Sequence, residues 1–149
     1  MSIKELLAPG QIVASLLATD KTQLLNSLAR RAAADTGIGE VQIATALASR
    51  ELLGSTGVGH GIAIPHACVG ALAKPYGLFA HLNRPVDFMA IDSKPVDLVF
   101  LLLTPENGAS EQIKWLSVIL RLLRDQEVTK RLRASSDAGE IYGILISGI

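Results

Sequence analysis

Cysteine is almost missing from this chain. Cys68 is the only one in 149 residues, so no intramolecular disulfide can form, and a lone thiol suits a reducing cytoplasm. Aromatic residues make up only 4%, so the core has to be built from aliphatic side chains. Charge of one sign is not in excess either: 14 Lys and Arg face 14 Asp and Glu. A balanced chain carries no electrostatic footprint for nucleic acid. The one basic cluster, Lys130, Arg131 and Arg133, reads as a solvated helix face. The longest wholly apolar stretch is Leu98–Leu103, far short of the roughly 20 residues that span a bilayer. The opening MSIKELLAPG has no apolar segment of the kind that marks a secretory signal. These absences point to a cytoplasmic protein with no nucleic-acid partner and no membrane insertion.

What is present is the material for a core. Apolar residues reach 49% and charged residues 19%, with a mean hydropathy of +0.37, which excludes disorder. The length suits one domain over residues 1–149. Helical spacing appears at Leu24, Leu25, Leu28 and Ala32, with Asp20 or Thr19 as cap and Gly37 as stop. A second helix fits Gly39 to Leu53, with Val41, Ala44, Leu47 and Ala48 on one face. Then the texture changes. GIAIPHA reads as a short strand closed by Pro65, residues 77–88 as a strand broken at Asn-Arg-Pro, and IDSKP as a turn. VDLVFLLL (96–103) is continuous enough to be a central strand buried on both faces. Helical period returns from Ser110 to Asp125, with Ile113, Leu116, Ile119, Leu120 and Leu123 in one stripe. A short helix follows over 127–134, and Asp137 with Glu140 reads as a capping box for a last one. Helices at both ends of a strand cluster predict a three-layer α/β/α sandwich.

Chemistry concentrates in STGVGHGIAIPHA. Gly57, Gly59 and Gly61 allow backbone N–H groups to approach an anion. The stretch is neither a Walker A loop nor a dinucleotide fingerprint, so a structural turn and a phosphate loop both fit. His66 follows Pro65, which restricts the backbone beside it. Its imidazole could carry a phosphoryl group as a nucleophile or sit as a satisfied structural residue. His60, His66 and Cys68 could supply three metal ligands, but their spacing matches no standard site. No G-x-S-x-G elbow marks a hydrolase. Arg50, just before the loop, is either a phosphate-binding fork or a solvated helix end. His81 reads as an edge or solvent-facing residue, and Trp115 as core or rim.

Three blocks together, SRELLGSTGVGHGIAIPHA, RPVDFMAIDSKPVDLVFLLLTPE and IKWLSVILRLLRD, resemble the IIA domain of the bacterial phosphoenolpyruvate-dependent phosphotransferase system, of the fructose/mannitol/nitrogen-regulatory type. The resemblance runs from about Ile3 to Ile149. It implies a mixed central sheet, a phosphoryl group carried on His66 at Nε2 with the other ring nitrogen held by a backbone bond, and Arg50 as the group that stabilises transferring charge. Many relatives carry a second histidine where this chain has Gln112, a neutral partner that could still orient a phosphoryl oxygen. His60 stands where relatives often have a small polar residue. The implied phosphate loop is Ser55, Thr56, Gly57, Gly59, His60 and Gly61, with amides from Thr56 to Gly61 facing the phosphoryl oxygens. An HPr-type carrier is the implied donor, with no cofactor and no metal. Val58, Ile62, Ala63 and Ala67 are the expected docking surface. A chain without IIB or membrane segments favours a regulatory role over passing phosphate to a sugar-specific IIB domain. A metal-binding module is a third reading.

Overall fold

The computed structural model describes residues 1–147; Gly148 and Ile149, the end of the expected domain, lie outside the described residues. The expected three-layer α/β/α sandwich is found. One mixed sheet runs in the order β1 (Ile12–Leu16), β5 (Tyr76–Val86), β6 (Val96–Pro105), β3 (Ile62–Ala63), β2 (Gly57–Gly59), and β4 (His66–Val69) also pairs with β6. The central strand is β6, as the unbroken apolar run predicts. It is antiparallel to β5 and parallel to β3 and β4, and Leu98 to Leu103 are all fully buried. Alternate residues feed two cores. Val99, Leu101 and Leu103 meet α2 (Lys21–Thr36) and α3 (Glu40–Leu52) on one face. Leu98, Phe100 and Leu102 meet α1 (Ile3–Leu6), α4 (Ala109–Arg124), α5 (Gln126–Ala134) and α6 (Ala138–Ser147) on the other.

Helix ends follow their local chemistry. Asp20 accepts the Gln23 N–H at 2.8 Å, and Gly37 closes α2 at φ 78°. The expected capping box at Asp137 does not form. The Asp137 carboxylate takes the Gly139 N–H at 3.3 Å, while the Asp137 N–H goes to Ser135 Oγ at 3.2 Å instead of Glu140. Two helix faces are turned from the expected ones. On α3 the core residues are Ile43 and Leu47, whereas Val41 is 79% exposed and Ala48 is exposed. On α4, Trp115 and Leu122 are buried and Ile113 is 66% exposed. In both cases Ala and partly buried Leu positions blur the stripe, and only docking fixes the face. The Asn83–Arg84–Pro85 break does not end a strand. It is a register shift inside β5 between His81 and Val86. His81 lies half-buried in a strand with neighbours on both sides, not on an edge. The elements α1 and β1 have no counterpart in the sequence-based reading.

Gly57 tests how tightly β2 is packed. A Cβ there would stand 2.8 Å from Ala90 Cβ and 2.9 Å from Ala90 Cα, and backbone cannot swing aside as a long side chain can. Gly57→Ala is expected to destabilise by about 1–3 kcal/mol, lowering the melting midpoint by about 2–4 °C per kcal/mol in a chain of this size. Thermal denaturation followed by circular dichroism checks this; an unchanged midpoint contradicts it.

Candidate functional site

The histidine that follows Pro65 begins a strand; it does not end one. The strands β3 and β4 are two segments of one edge, both parallel to β6 with the same offset: Ile62 opposite Leu98, His66 opposite Leu102. Pro65 sits between them. It has no N–H to give, but its carbonyl accepts the Leu102 N–H at 2.9 Å, so the edge resumes beyond it. The outer strand β2 pairs only with Ile62 and Ala63. His66 therefore opens an edge segment whose outer side no strand covers among the described residues. The helix α3 packs there and brings Arg50 alongside.

The His66 ring is oriented by two bonds. Nδ1 lies 2.7 Å from the Ile64 carbonyl oxygen. A carbonyl only accepts, so Nδ1 carries the proton and Nε2 carries the lone pair. Arg50 donates its Nε–H to that Nε2 at 3.2 Å and an Nη1–H to the Gly54 carbonyl at 3.0 Å, which fixes the guanidinium. Burial is the largest influence on the imidazole and pushes its pKa below 6.5. The Ile64 bond and Glu51 oppose the shift, and the Arg50 charge adds to it. The site thus holds a neutral ring with an unprotonated Nε2 facing a cation. An NMR titration is expected to place the His66 midpoint below 6.5, with the Nδ1–H tautomer dominant. The unfolded chain takes up this proton at higher pH than the folded one. The stability tied to the neutral ring is therefore complete above about pH 6.5 and declines as pH falls towards the folded midpoint. A midpoint above 6.5 contradicts the geometry.

Several groups of the expected phosphate loop are bonded within the protein. Thr56 donates its N–H to Glu51 Oε1 at 3.0 Å and its hydroxyl to Glu51 Oε2. Gly57 N–H goes to Ser55 Oγ at 3.1 Å, and that hydroxyl donates to the Phe88 carbonyl at 2.7 Å. These groups pin the loop to the protein. The far part of the loop lies at the other end of the strand. The turn at His60 and Gly61 reaches β6 at Asp97 and Leu98, both of which donate N–H groups to the Gly61 carbonyl. Leu98 is four residues before the level of His66, about 13 Å at the strand rise. His60 N–H donates to Asp92 at 2.9 Å, and Gly59 also faces Asp92. His60, Gly59 and Gly61 thus lie along the edge from His66, towards the Leu98 end, and the three metal ligands suggested by the sequence are not brought together. Among the described residues no group of three or more His, Cys, Asp or Glu could hold a metal ion.

Gln112, in the first turn of α4, sits beside the site without touching the ring. It donates to Thr104 Oγ1 at 3.0 Å and lies 3.6 Å from Cys68 Sγ, and Cys68 is two residues along β4 on the face shared with His66. The expected docking surface is corrected for three of its four residues. Ile62, Ala63 and Ala67 are buried and Val58 is 39% exposed, whereas Leu52, Leu53 and Ile113 are at least 66% exposed and lie next in sequence to the site residues. Glu51 is a further residue of the site that no sequence pattern singles out. Its carboxylate pairs with Lys21 Nζ at 2.8 Å while holding Thr56, and Lys21 in turn donates to the Phe88 carbonyl at 3.3 Å. Only its place beside Arg50 could have signalled it. Arg133, read as solvated, is pinned to Asp97 at 3.0 Å.

A mixed α/β/α sandwich carrying a neutral, arginine-faced histidine on an open sheet edge defines a phosphotransferase-system IIA-type domain. Residues 5–148 match the family model "Phosphoenolpyruvate-dependent sugar phosphotransferase system, EIIA 2", and the chain belongs to that family. It is similar to the nitrogen regulatory protein of Bradyrhizobium diazoefficiens, 50% identical over 145 residues that cover 97% of this chain and 95% of that one. Its structure is similar to the nitrogen regulatory protein IIA-Ntr of Neisseria meningitidis, with a TM-score of 0.90 and 33% identity over 96% and 98% of the two chains. The mannitol enzyme IIA of Escherichia coli, in a structure with phosphorylated mannitol enzyme IIB, shares the fold at a TM-score of 0.79 and 20% identity over 95% and 97%. No helix among the described residues is long and apolar enough to cross a membrane.

Proposed function

We propose that this chain is a phosphocarrier that receives a phosphoryl group on His66 Nε2 from the phosphohistidine of an HPr-type carrier and signals through its phosphorylation state. One observation carries the reading: the Ile64 carbonyl holds the proton on Nδ1, leaving Nε2 unprotonated with its lone pair meeting the Arg50 Nε–H. In the step, a bond forms from Nε2 to phosphorus as the donor's N–P bond breaks. The proton stays on Nδ1, donated to the Ile64 carbonyl, which supports the positive ring that results. Arg50 meets the charge on the equatorial oxygens. Gln112 offers a neutral amide beside the site. The donor brings the phosphoryl group, so the step needs no nucleotide, cofactor or metal. Leu52, Leu53 and Ile113 form an apolar rim for a transient partner.

Similarity to nitrogen regulatory proteins favours the signalling role. The fold shared with a mannitol enzyme IIA supports the second reading, transfer onward to a IIB domain. Phosphorus NMR of the chain after incubation with phosphoenolpyruvate, enzyme I and HPr-type carrier is expected to show an Nε2-phosphohistidine. Phosphorylated and unphosphorylated chains, immobilised separately, are expected to capture different proteins, because the added charge sits at an apolar rim. Identical partner sets would remove the signalling role, and a IIB domain labelled at the rate of the carrier step would establish the other.

A further inference from the structure

A cleft of about 960 Å³ lies at the end of the sheet away from His66, a size that suits small-molecule sites, which run to roughly 300–1,000 Å³. Its walls carry Lys94, Arg124, Lys130 and Arg133 against a single carboxylate, Asp97. In a chain whose charges balance overall, that is a local excess of positive charge. Asp97 is already committed to Arg133, which donates Nε–H at 3.0 Å and an Nη2–H at 3.0 Å. Arg124 and Lys130 have no carboxylate within ion-pair distance among the described residues, and Lys94 lies near Asp92 without a close ion pair. The cleft also has apolar surface, from Ile62, Pro95 and Leu120.

His60 lines the same cleft in a strained conformation. Its φ is 57° and that of Gly61 is 77°, a hairpin turn that asparagine or glycine fills with less strain. The backbone is held there from both sides. His60 N–H donates to Asp92 at 2.9 Å, and Arg133 donates to the His60 carbonyl at 2.7 Å. Strain that surrounding groups over-determine gathers at binding sites. We propose that this cleft is a second site, separate from His66, for a nucleotide-sized anion. Its phosphates meet Lys94, Arg124 and Lys130, and its base lies on the apolar surface beside the His60 turn. A concave, basic and partly apolar cleft suits a small molecule that joins phosphate to a flat ring better than it suits bare phosphate.

Titration calorimetry of the full chain with ATP and with GTP tests the site, with pyrophosphate as the probe that lacks a base. One nucleotide is expected to bind per chain. An Arg124→Gln/Lys130→Gln double variant is expected to bind about tenfold or more weakly, with its circular dichroism and its His66 labelling unchanged. His66→Ala is expected to bind as the parent does. Absence of binding at millimolar nucleotide overturns the proposal, as does binding lost in His66→Ala and kept in the double variant. Pyrophosphate binding as tightly as ATP overturns the nucleotide assignment, because the apolar wall then contributes nothing.

Discussion

A His66→Ala chain is expected to take up no phosphoryl group from a phosphorylated HPr-type carrier under conditions that label the parent fully. The chain has three histidines, and geometry separates them. His60 is held at the far end of the edge by Asp92 and Arg133. His81 lies in β5, between β1 and β6. His66 alone combines a strand edge that no strand pairs, a proton fixed on one ring nitrogen and a cation facing the other. Without its nitrogen no other group is placed to attack, so the expected loss is to background and not a fractional decrease. Misfolding is a poor explanation for such a loss. The ring is half-buried at a strand edge, so truncation removes two hydrogen bonds but no core side chain, and a stability loss of about 1–2 kcal/mol is expected. Circular dichroism checks that point. A variant labelled at the parent rate ends the assignment, and the candidate site with it.

Much of this was legible in the sequence, for identifiable reasons. The strand at 96–103 is readable because burial on both faces leaves Asp97 as its one polar residue and Leu98–Leu103 wholly apolar. The α2 helix was readable because Asp20 and Gly37 mark its ends chemically. What failed depended on tertiary placement. Pro65 looked like a strand terminus, and only pairing with β6 shows the edge resuming at His66. Three closely spaced glycines suggested an anion loop. Whether an amide is free depends on partners distant in sequence or not recognised, here Asp92 for His60 and Glu51 for Thr56. Faces of α3 and α4 were misjudged where alanine and leucine recur on several sides. The pair Arg50 and His66 was suggested by family resemblance. Their 3.2 Å contact comes from a helix end meeting a strand edge 16 residues later in the chain.

The separation along the sheet also has a consequence for how the site works. With the Thr56, Gly57 and His60 amides bonded within the protein, Arg50 is the cation that the structure holds against Nε2, and under the proposed function it meets the phosphoryl charge. Arg50→Ala is accordingly expected to slow labelling by about 10²–10³-fold, the loss typical when one aimed donor is removed from a developing anion. Arg50→Lys is expected to recover only part of the rate. An ammonium is a point charge and cannot address Nε2 and the Gly54 carbonyl with the geometry of a planar fork. Arg50 has a second effect that must be separated from this one. Its charge helps to lower the His66 pKa, so its removal raises that pKa. Burial is the larger cause of the depression, so the ring is expected to stay largely neutral at pH 7 in the variant. Rates measured at pH 7 and pH 8.5 distinguish the two effects. If Arg50 acts on the transferring phosphoryl group, the deficit persists at the higher pH. If it acts only by keeping the ring unprotonated, the deficit vanishes there, and Arg50 becomes a residue that tunes the nucleophile without touching the reaction.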